Sequence, residues 1–425
     1  MNQRFYNTMR RAILAALALA LTAALLAGCS AAPVPEDEDS ASEAVLSPAE
    51  ETAPAADVPT LAPQPLDAIL SDDGVAILFV NVGKADAAIL RFGDSAVLID
   101  TGSASSAPQL IAGLNALGVA KIDAVFLTHS HSDHVGGLEA LAANYTVPIV
   151  YSPYFSETDK NGENKIVKRI DKLGLPHAEL RAGDSVPLAG GVSFSVLGPL
   201  ERNEQDDNDN SLVLRFTYDG RTFLFVGDMQ FAEEQTLIAS GADLDSDVLK
   251  VGNHGNPDAT GEDFAALVSP DIAVISTDTS EDADSANPRV YAALSPADIY
   301  ITQDFPLGVL LTLDDSGDLA ISSPARDADP LDVAVAGIDV KDQTVTLVNN
   351  GSSPADLSGC VLFSVRSQAA LRFPEGTTLG AGETLIVGEH EAVSFAGEDN
   401  PLNKKKDNTV RLYDRLGFLV SEWAE

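Results

Sequence analysis

The chain has 425 residues, 45% of them hydrophobic, with 26 lysines and arginines against 64 aspartates and glutamates, for a formal net charge of −38. Its length allows about three domain-sized units and a sizeable core. The acidic balance attracts divalent cations, repels nucleic acid and anionic lipid at long range, and argues against tight, sequence-independent DNA binding.

Residues 1–29 open with Arg4, Arg10 and Arg11, continue through an Ala/Leu run and end in Leu26-Ala27-Gly28-Cys29. The apolar run is shorter than the roughly 20 residues that cross a bilayer and is followed by small residues, as in a secretory signal. Leu-Ala-Gly-Cys resembles the bacterial lipobox, which implies a lipidated Cys29, an anchor to the membrane and an extracytoplasmic location. Removal of residues 1–28 takes away three arginines and no acid, moving the formal charge from −38 to −41. With Cys29 lipidated, Cys360 has no intrachain partner and reads as a core thiol. Residues 30–71 are rich in Ala, Pro, Glu, Asp and Ser without any period, which predicts a disordered acidic tether.

Order is expected from near Val75, within a domain spanning 72–325. Strand-like runs at Val75–Val82, Ala87–Phe92 and Ala96–Ile99 precede a helical pattern at Pro108–Leu117 and a strand at Ile122–Leu127. Later strands are predicted at Ser211–Tyr218, Arg221–Val226, Val248–Val251 and Ile272–Ser276, with an amphipathic helix at Gly261–Val268. This α/β alternation suggests two sheets packed face to face with helices outside. Beyond a linker at residues 324–330, strand signals alone recur at Val333–Val340, Thr344–Val348, Gly359–Ser364, Thr384–Val387 and Thr409–Tyr413, as in a small β-sandwich over 331–425. Nothing after residue 29 is apolar for long enough to span a bilayer, which excludes transport by this chain alone.

The run Thr128-His129-Ser130-His131-Ser132-Asp133-His134, followed by Val135-Gly136-Gly137, places three of the six histidines beside a carboxylate directly after a strand. Neutral imidazole with carboxylate suits zinc, manganese or iron, and the glycine pair is expected to let the backbone swing away. The spacing can split between two metals, His129 and His131 on one, Asp133 and His134 on the other. Two cations lower the pKa of a shared water and neutralise transition-state charge. Asp228, at the end of Thr222-Phe223-Leu224-Phe225-Val226-Gly227, is the candidate bridge, and His254 a further imidazole from another strand end. His177 and His390 stand amid charged or turn-like sequence and read as surface residues.

Asn81-Val82-Gly83-Lys84-Ala85-Asp86, Leu98-Ile99-Asp100-Thr101-Gly102, the His/Asp loop, Asn208-Asp209-Asn210-Ser211, Phe225-Val226-Gly227-Asp228 and Leu249-Lys250-Val251-Gly252-Asn253-His254-Gly255 together resemble the metallo-β-lactamase superfamily, and within it the hydrolase domain of ComEC-type competence proteins. The resemblance implies an αββα sandwich with two divalent ions, zinc or manganese, bound by His129, His131, Asp133, His134, Asp228 and His254. It also implies that Asp100 orients a ligand histidine and that Asn208 stands where lactamases carry a third histidine. Two departures are Asn253 and Asn256, where the family shows His-His-Gly-Ser, and Asn287-Pro288-Arg289, where it shows His-Pro-His. Arg289 and Lys250 are expected to offer charge to a phosphate.

The C-terminal stretch, with Asp356-Leu357-Ser358-Gly359 and Asp407-Asn408-Thr409-Val410, resembles a lamin-tail domain, which implies an immunoglobulin-like sandwich suited to a cell-surface partner. Lys404-Lys405-Lys406 is a basic run in an acidic protein and reads as a solvated loop, with a small anion or nucleic-acid contact as the alternative. The leading expectation is a membrane-tethered phosphodiesterase or nuclease, with Asp133 and Asp228 as its catalytic carboxylates. A non-catalytic binding protein on the same scaffold and a lactone or thioester hydrolase are the alternatives.

Overall fold

Every position of Val75–Val80 is apolar because the strand is covered on both faces. Ile77 and Phe79 face the interior between two sheets, whereas Ala76, Leu78 and Val80 face helices. The computed structural model describes residues 61–66, 74–188, 192–313, 317–325, 330–388, 395, 401–403, 405–406 and 408–425. The leader with Cys29, most of the tether, His390 and Lys404 lie outside the described residues.

Among the described residues, the first sheet has nine strands in the order Pro63–Gln64, Leu319–Pro324, Gly308–Leu313, Val75–Val80, Ala88–Phe92, Ser95–Ile99, Ile122–Phe126, Val150–Pro153 and His177–Leu180. The second has seven, in the order Asp298–Ile301, Ile272–Ile275, Val248–Lys250, Arg221–Phe225, Val213–Tyr218, Ser193–Gly198 and Ser185–Pro187. Aromatic rings join the facing sheets: Phe79 stacks on Phe225 with centroids 5.8 Å apart, and Phe126 meets Phe194 at 5.1 Å. Full burial of one such side chain contributes about 1.5–3 kcal/mol.

Helices cover the outer faces. α1 (Ala107–Ala116), α2 (Ser132–Val135), α3 (Leu138–Asn144) and α4 (Lys165–Lys172) lie on the first sheet. α5 (Phe231–Ser240), α6 (Glu262–Val268) and α7 (Pro288–Leu294) lie on the second. The layers form the αββα sandwich expected from the sequence. Four strands decide where the site falls: Ser95–Ile99 runs parallel to Ile122–Phe126, and Arg221–Phe225 runs parallel to Val248–Lys250. The loops leaving their C-terminal ends carry Asp100, the His/Asp run, Asp228 and His254.

Residues 61–66, assigned by composition to the disordered tether, are ordered. Pro63 and Gln64 pair in parallel with Ser323 and Pro324, Leu61 packs on the core between the sheets, and Leu66 packs against the helix layer. An edge strand tolerates proline because only one side of its backbone needs a partner.

The C-terminal residues form a three-stranded sheet (Val333–Asp339, Thr344–Asn349, Thr384–Val387) and a four-stranded one (Ala369–Arg372, Val361–Ser364, Thr409–Tyr413, Leu419–Ala424). Val345, Leu347, Leu362, Phe373 and Leu412 fill their shared core. Cys360 is buried there, which pushes its thiol up to about 12. This sandwich packs on α1: Ala107 and Ile111 meet Val361, Phe363 and Tyr413, while Ala112 and Ala116 meet Leu416. Asn115 Nδ2 donates to Gly359 O and Arg415 O, each at 2.9 Å, and Asn115 Oδ1 accepts from Arg372 Nε at 2.9 Å. The same helix therefore carries the first sheet on one side and the sandwich on the other.

Candidate metal centre

Asp100 leaves its strand with φ of 60°, a left-handed conformation that a non-glycine residue holds only where the surroundings impose it. Its Oδ1 accepts from Thr128 N and its Oδ2 from Thr128 Oγ1, both at 2.7 Å, and Oδ2 lies 2.8 Å from His134 Nδ1. With Nδ1 engaged, His134 turns Nε2 toward the cluster. Ser276 O does the same for His254, accepting from Nδ1 at 2.8 Å. Asn253 and His254, with φ of 43° and 53°, form a strained turn that brings this imidazole inward.

Asp228 sits where the two imidazoles meet. Its Oδ2 lies 3.2 Å from His134 Nε2, 3.2 Å from His254 Nε2 and 3.8 Å from His129 Nε2. Gly227 must be glycine: at φ of 54°, a Cβ would stand 2.8 Å from Ser211 Oγ and from Thr128 Cβ. Asp133 completes the group, with Oδ2 3.4 Å from His254 Nε2. One donor atom each from Asp133, His134, Asp228 and His254 lies within 4.8 Å of all the others. His129 and His131 adjoin, Nε2 to Nδ1 at 3.0 Å, with the His129 ring centroid 4.1 Å from that of His134.

The electrostatics follow from this crowding. Burial opposes charge on His134 and His254, but the facing carboxylates outweigh it, chiefly Asp228, holding His134 well above its ordinary value and His254 at about 9. Burial would raise Asp228, yet His134 and His254 hold it well below the usual carboxylate range. Burial and the neighbouring His134 charge push His129 down. A field that binds protons this strongly to two imidazoles also favours a divalent cation. His134 Nε2, His254 Nε2 and Asp228 Oδ1 are buried without a hydrogen-bond partner, as donors reserved for a metal would be. The residues present therefore fit the divalent ions that the fold family implies.

The profile of the metallo-beta-lactamase superfamily matches residues 80–279. The chain carries a metallo-β-lactamase domain. ComE operon protein 3 of Bacillus subtilis (strain 168) is 30% identical over 225 residues, 49% of this chain and 29% of that protein. Competence protein ComA of Neisseria gonorrhoeae is 31% identical over 210 residues, 48% of this chain and 27% of that protein. The chain thus spans less than a third of the length of these relatives. The metallo-beta-lactamase fold protein YhfI from Bacillus subtilis is 14% identical and aligns over 57% of this chain and 100% of its own, with a TM-score of 0.38.

Several expectations for the metallo-β-lactamase domain need correction. Lys250 is sealed in the interior, 4% exposed, with Nζ 2.6 Å from Asp86 Oδ2 and donating to Val251 O, so its charge is unavailable to substrate. Arg289 donates to Thr260 O and Ala259 O and lies over the Phe231 ring, a backbone brace and not a phosphate contact. Gly136 and Gly137 do not swing the chain away. Both hold helical φ, −64° and −78°, and are glycines because a Cβ would collide with Ser132 O or Thr101 O. Asn253 removes no donor from the cluster, since it turns to Asp258 (2.9 Å) while His254 supplies the imidazole. Asn287 caps α7 by accepting from Arg289 N at 3.0 Å. Asn208 opens a short 3-10 turn with its Oδ1 buried and without a hydrogen-bond partner. His177 is half-buried at the start of an edge strand, 3.7 Å from Asp171.

Three residues at the site had no assigned role in the sequence reading. Lys84 Nζ lies 2.9 Å from Asp133 Oδ2. Asp86 joins Lys250 to His254, its Oδ1 3.5 Å from His254 Nδ1. Asp207 clamps the metal loop, accepting from Ser130 N at 2.8 Å and Glu157 N at 2.6 Å. Lys84 and Asp86 fall in the Asn81–Asp86 run, where charges between two buried strands were the available signal. Asp207 had none, as one acid among Asp206, Asp207 and Asp209.

Proposed function

We propose that this protein is a divalent-metal hydrolase that cleaves phosphodiesters outside the cytoplasm while tethered to a membrane through lipidated Cys29. The carrying observation is the meeting of Asp133 and His134, Asp228 and His254 from three separate loops, with two imidazole Nε2 atoms and a carboxylate oxygen buried without a hydrogen-bond partner. His129, His131, Asp133, His134, Asp228 and His254 would hold two ions, zinc or manganese, which when bound polarise a phosphoryl oxygen and acidify water.

The protein's own contribution is orientation and charge. Asp100 and Ser276 O fix which nitrogen of His134 and His254 faces the cluster. Asp133, partly exposed, is lowered despite its burial, by His254 and the nearby charges of His134 and Lys84, so its carboxylate can accept a hydrogen bond from an attacking water and align it. The unbroken donor set supports catalysis over a scaffold role. In this reading a lipid on Cys29 would hold the protein to the membrane, and the C-terminal sandwich would meet a cell-surface partner.

The test is turnover of bis(p-nitrophenyl) phosphate by the metal-loaded protein, set beside a lactone and a thioester. Diester hydrolysis lost in His134→Ala and Asp228→Ala is expected. Lactone or thioester turnover alone would overturn the phosphodiester assignment.

A further inference from the structure

A groove of about 360 Å³ opens from His131, lined by Glu157, Arg202, Glu204, Asp206 and Asp207. That volume suits a small molecule of nucleotide size. Four carboxylates face one guanidinium, and the guanidinium is already engaged, with Arg202 Nε 3.2 Å from Glu204 Oε1.

Several cations among the described residues near the groove and centre are paired within the chain. Lys165 meets Glu157 at 2.5 Å, Lys168 meets Asp159 at 2.5 Å and Glu163 at 3.1 Å, and Lys250 is sealed on Asp86. Lys84 stands apart. Its side chain is 27% exposed, and its partner Asp133 is itself a candidate metal donor. A nucleic-acid strand is held by a row of cations along its backbone, each releasing condensed counterions, and by a positive channel. This groove offers the opposite sign, on a chain of formal charge −38.

Resting on the phosphodiesterase reading above, we infer that the site takes a short diester with one scissile phosphate, of dinucleotide or cyclic-nucleotide size, and rejects a polyanionic strand. Lys84 meets the single phosphate, and the neutral remainder occupies the groove by His131.

The experiment compares kcat/KM of the metal-loaded full chain on a dinucleotide and on a single-stranded oligonucleotide across a salt series. The dinucleotide is expected to be preferred by about tenfold or more, the equivalent of one unfavourable charge contact. Oligonucleotide cleavage should rise with salt as repulsion is screened. Glu204→Arg, at a side chain 73% exposed, should shift the preference toward the oligonucleotide. An oligonucleotide cleaved as well as the dinucleotide, with efficiency falling as salt rises at about −0.7 per phosphate engaged, overturns the inference while leaving the phosphodiesterase reading intact. An unshifted preference in Glu204→Arg also overturns it. Turnover of neither substrate overturns that reading and this inference together.

Discussion

His134 Nε2 and Asp228 Oδ2 meet at 3.2 Å although the first follows a strand of the nine-stranded sheet and the second a strand of the seven-stranded sheet. The two sheets are thereby joined through polar atoms at one end of an otherwise apolar interior. Because His134 Nε2 and the other carboxylate oxygen, Asp228 Oδ1, are buried without a hydrogen-bond partner, a cation bound at this junction would stabilise the fold.

Asp100 orients His134 without itself joining the Asp133, His134, Asp228 and His254 group. Asp100→Asn is expected to weaken metal binding by about 10- to 100-fold. Calorimetric metal titration measures this directly, with circular dichroism to verify the fold. Unchanged affinity would show that Thr128 and packing suffice to hold the ring.

Lys84 and Lys250 each pair with an aspartate but in different surroundings, so their loss should differ. Lys250→Ala strands a buried Asp86 and is expected to cost about 3–5 kcal/mol in urea unfolding. Lys84→Gln removes a partly exposed pair and is expected to cost at most about 1 kcal/mol, while raising KM for a diester. Equal destabilisation by the two would contradict the assignment of Lys84 to substrate.

Glu233 and Glu234 at the start of α5 are both pushed up to about 7, burial being the main cause. Unfolded, they ionise near 4.5; folded, they keep their protons until about 7. The native state thus binds more protons in that window, and their contribution to stability, full below 4.5, is lost as pH rises through 7. Glu234→Gln keeps the shape of the side chain and an acceptor for one of the two backbone donors, Thr260 N and Gly261 N, that now meet Oε1 and Oε2. Its unfolding free energy should fall less than that of the parent between pH of about 5 and about 8. A parallel pH profile for parent and variant would contradict this.

Asn115 is the polar link between α1 and the C-terminal sandwich. Asn115→Ala leaves Gly359 O, Arg415 O and the Arg372 guanidinium without that partner, at about 1–3 kcal/mol for each buried group left unmade. Differential scanning calorimetry should show a lowered transition, or the sandwich melting separately from the hydrolase layers. A transition that does not move would mean that the apolar contacts of Ile111, Phe363 and Tyr413, with the Asn144 hydrogen bonds to Ala370 O and Arg372 N, suffice to hold the two together.

Much of this architecture is legible in the chain because its signals are local. Val75–Val80 announces itself as a strand by an unbroken apolar run, Arg221–Phe225 by its apolar run from Phe223 on, and the His/Asp loop by composition alone. The short strands Ala355–Asp356 and Thr378–Leu379 do not, since two residues carry no period. Lys250 and Arg289 were misread for a related reason. A charge near a motif says nothing about whether another chain segment has already neutralised it, and Asp86 and the Thr260 carbonyl lie far away in sequence. The positive φ values of Asp100, Asn253 and His254 are equally invisible, because Asp, Asn and His tolerate that region better than other side chains but tertiary contacts decide where they adopt it.

The most direct test of the metal centre is elemental analysis of the purified full chain after equilibration with zinc or manganese and removal of excess ion. The donor set centred on Asp228 predicts close to two equivalents per chain, falling markedly in Asp228→Ala and His134→Ala. Absence of bound metal from a correctly folded protein, or an unchanged content in both variants, would contradict the assignment.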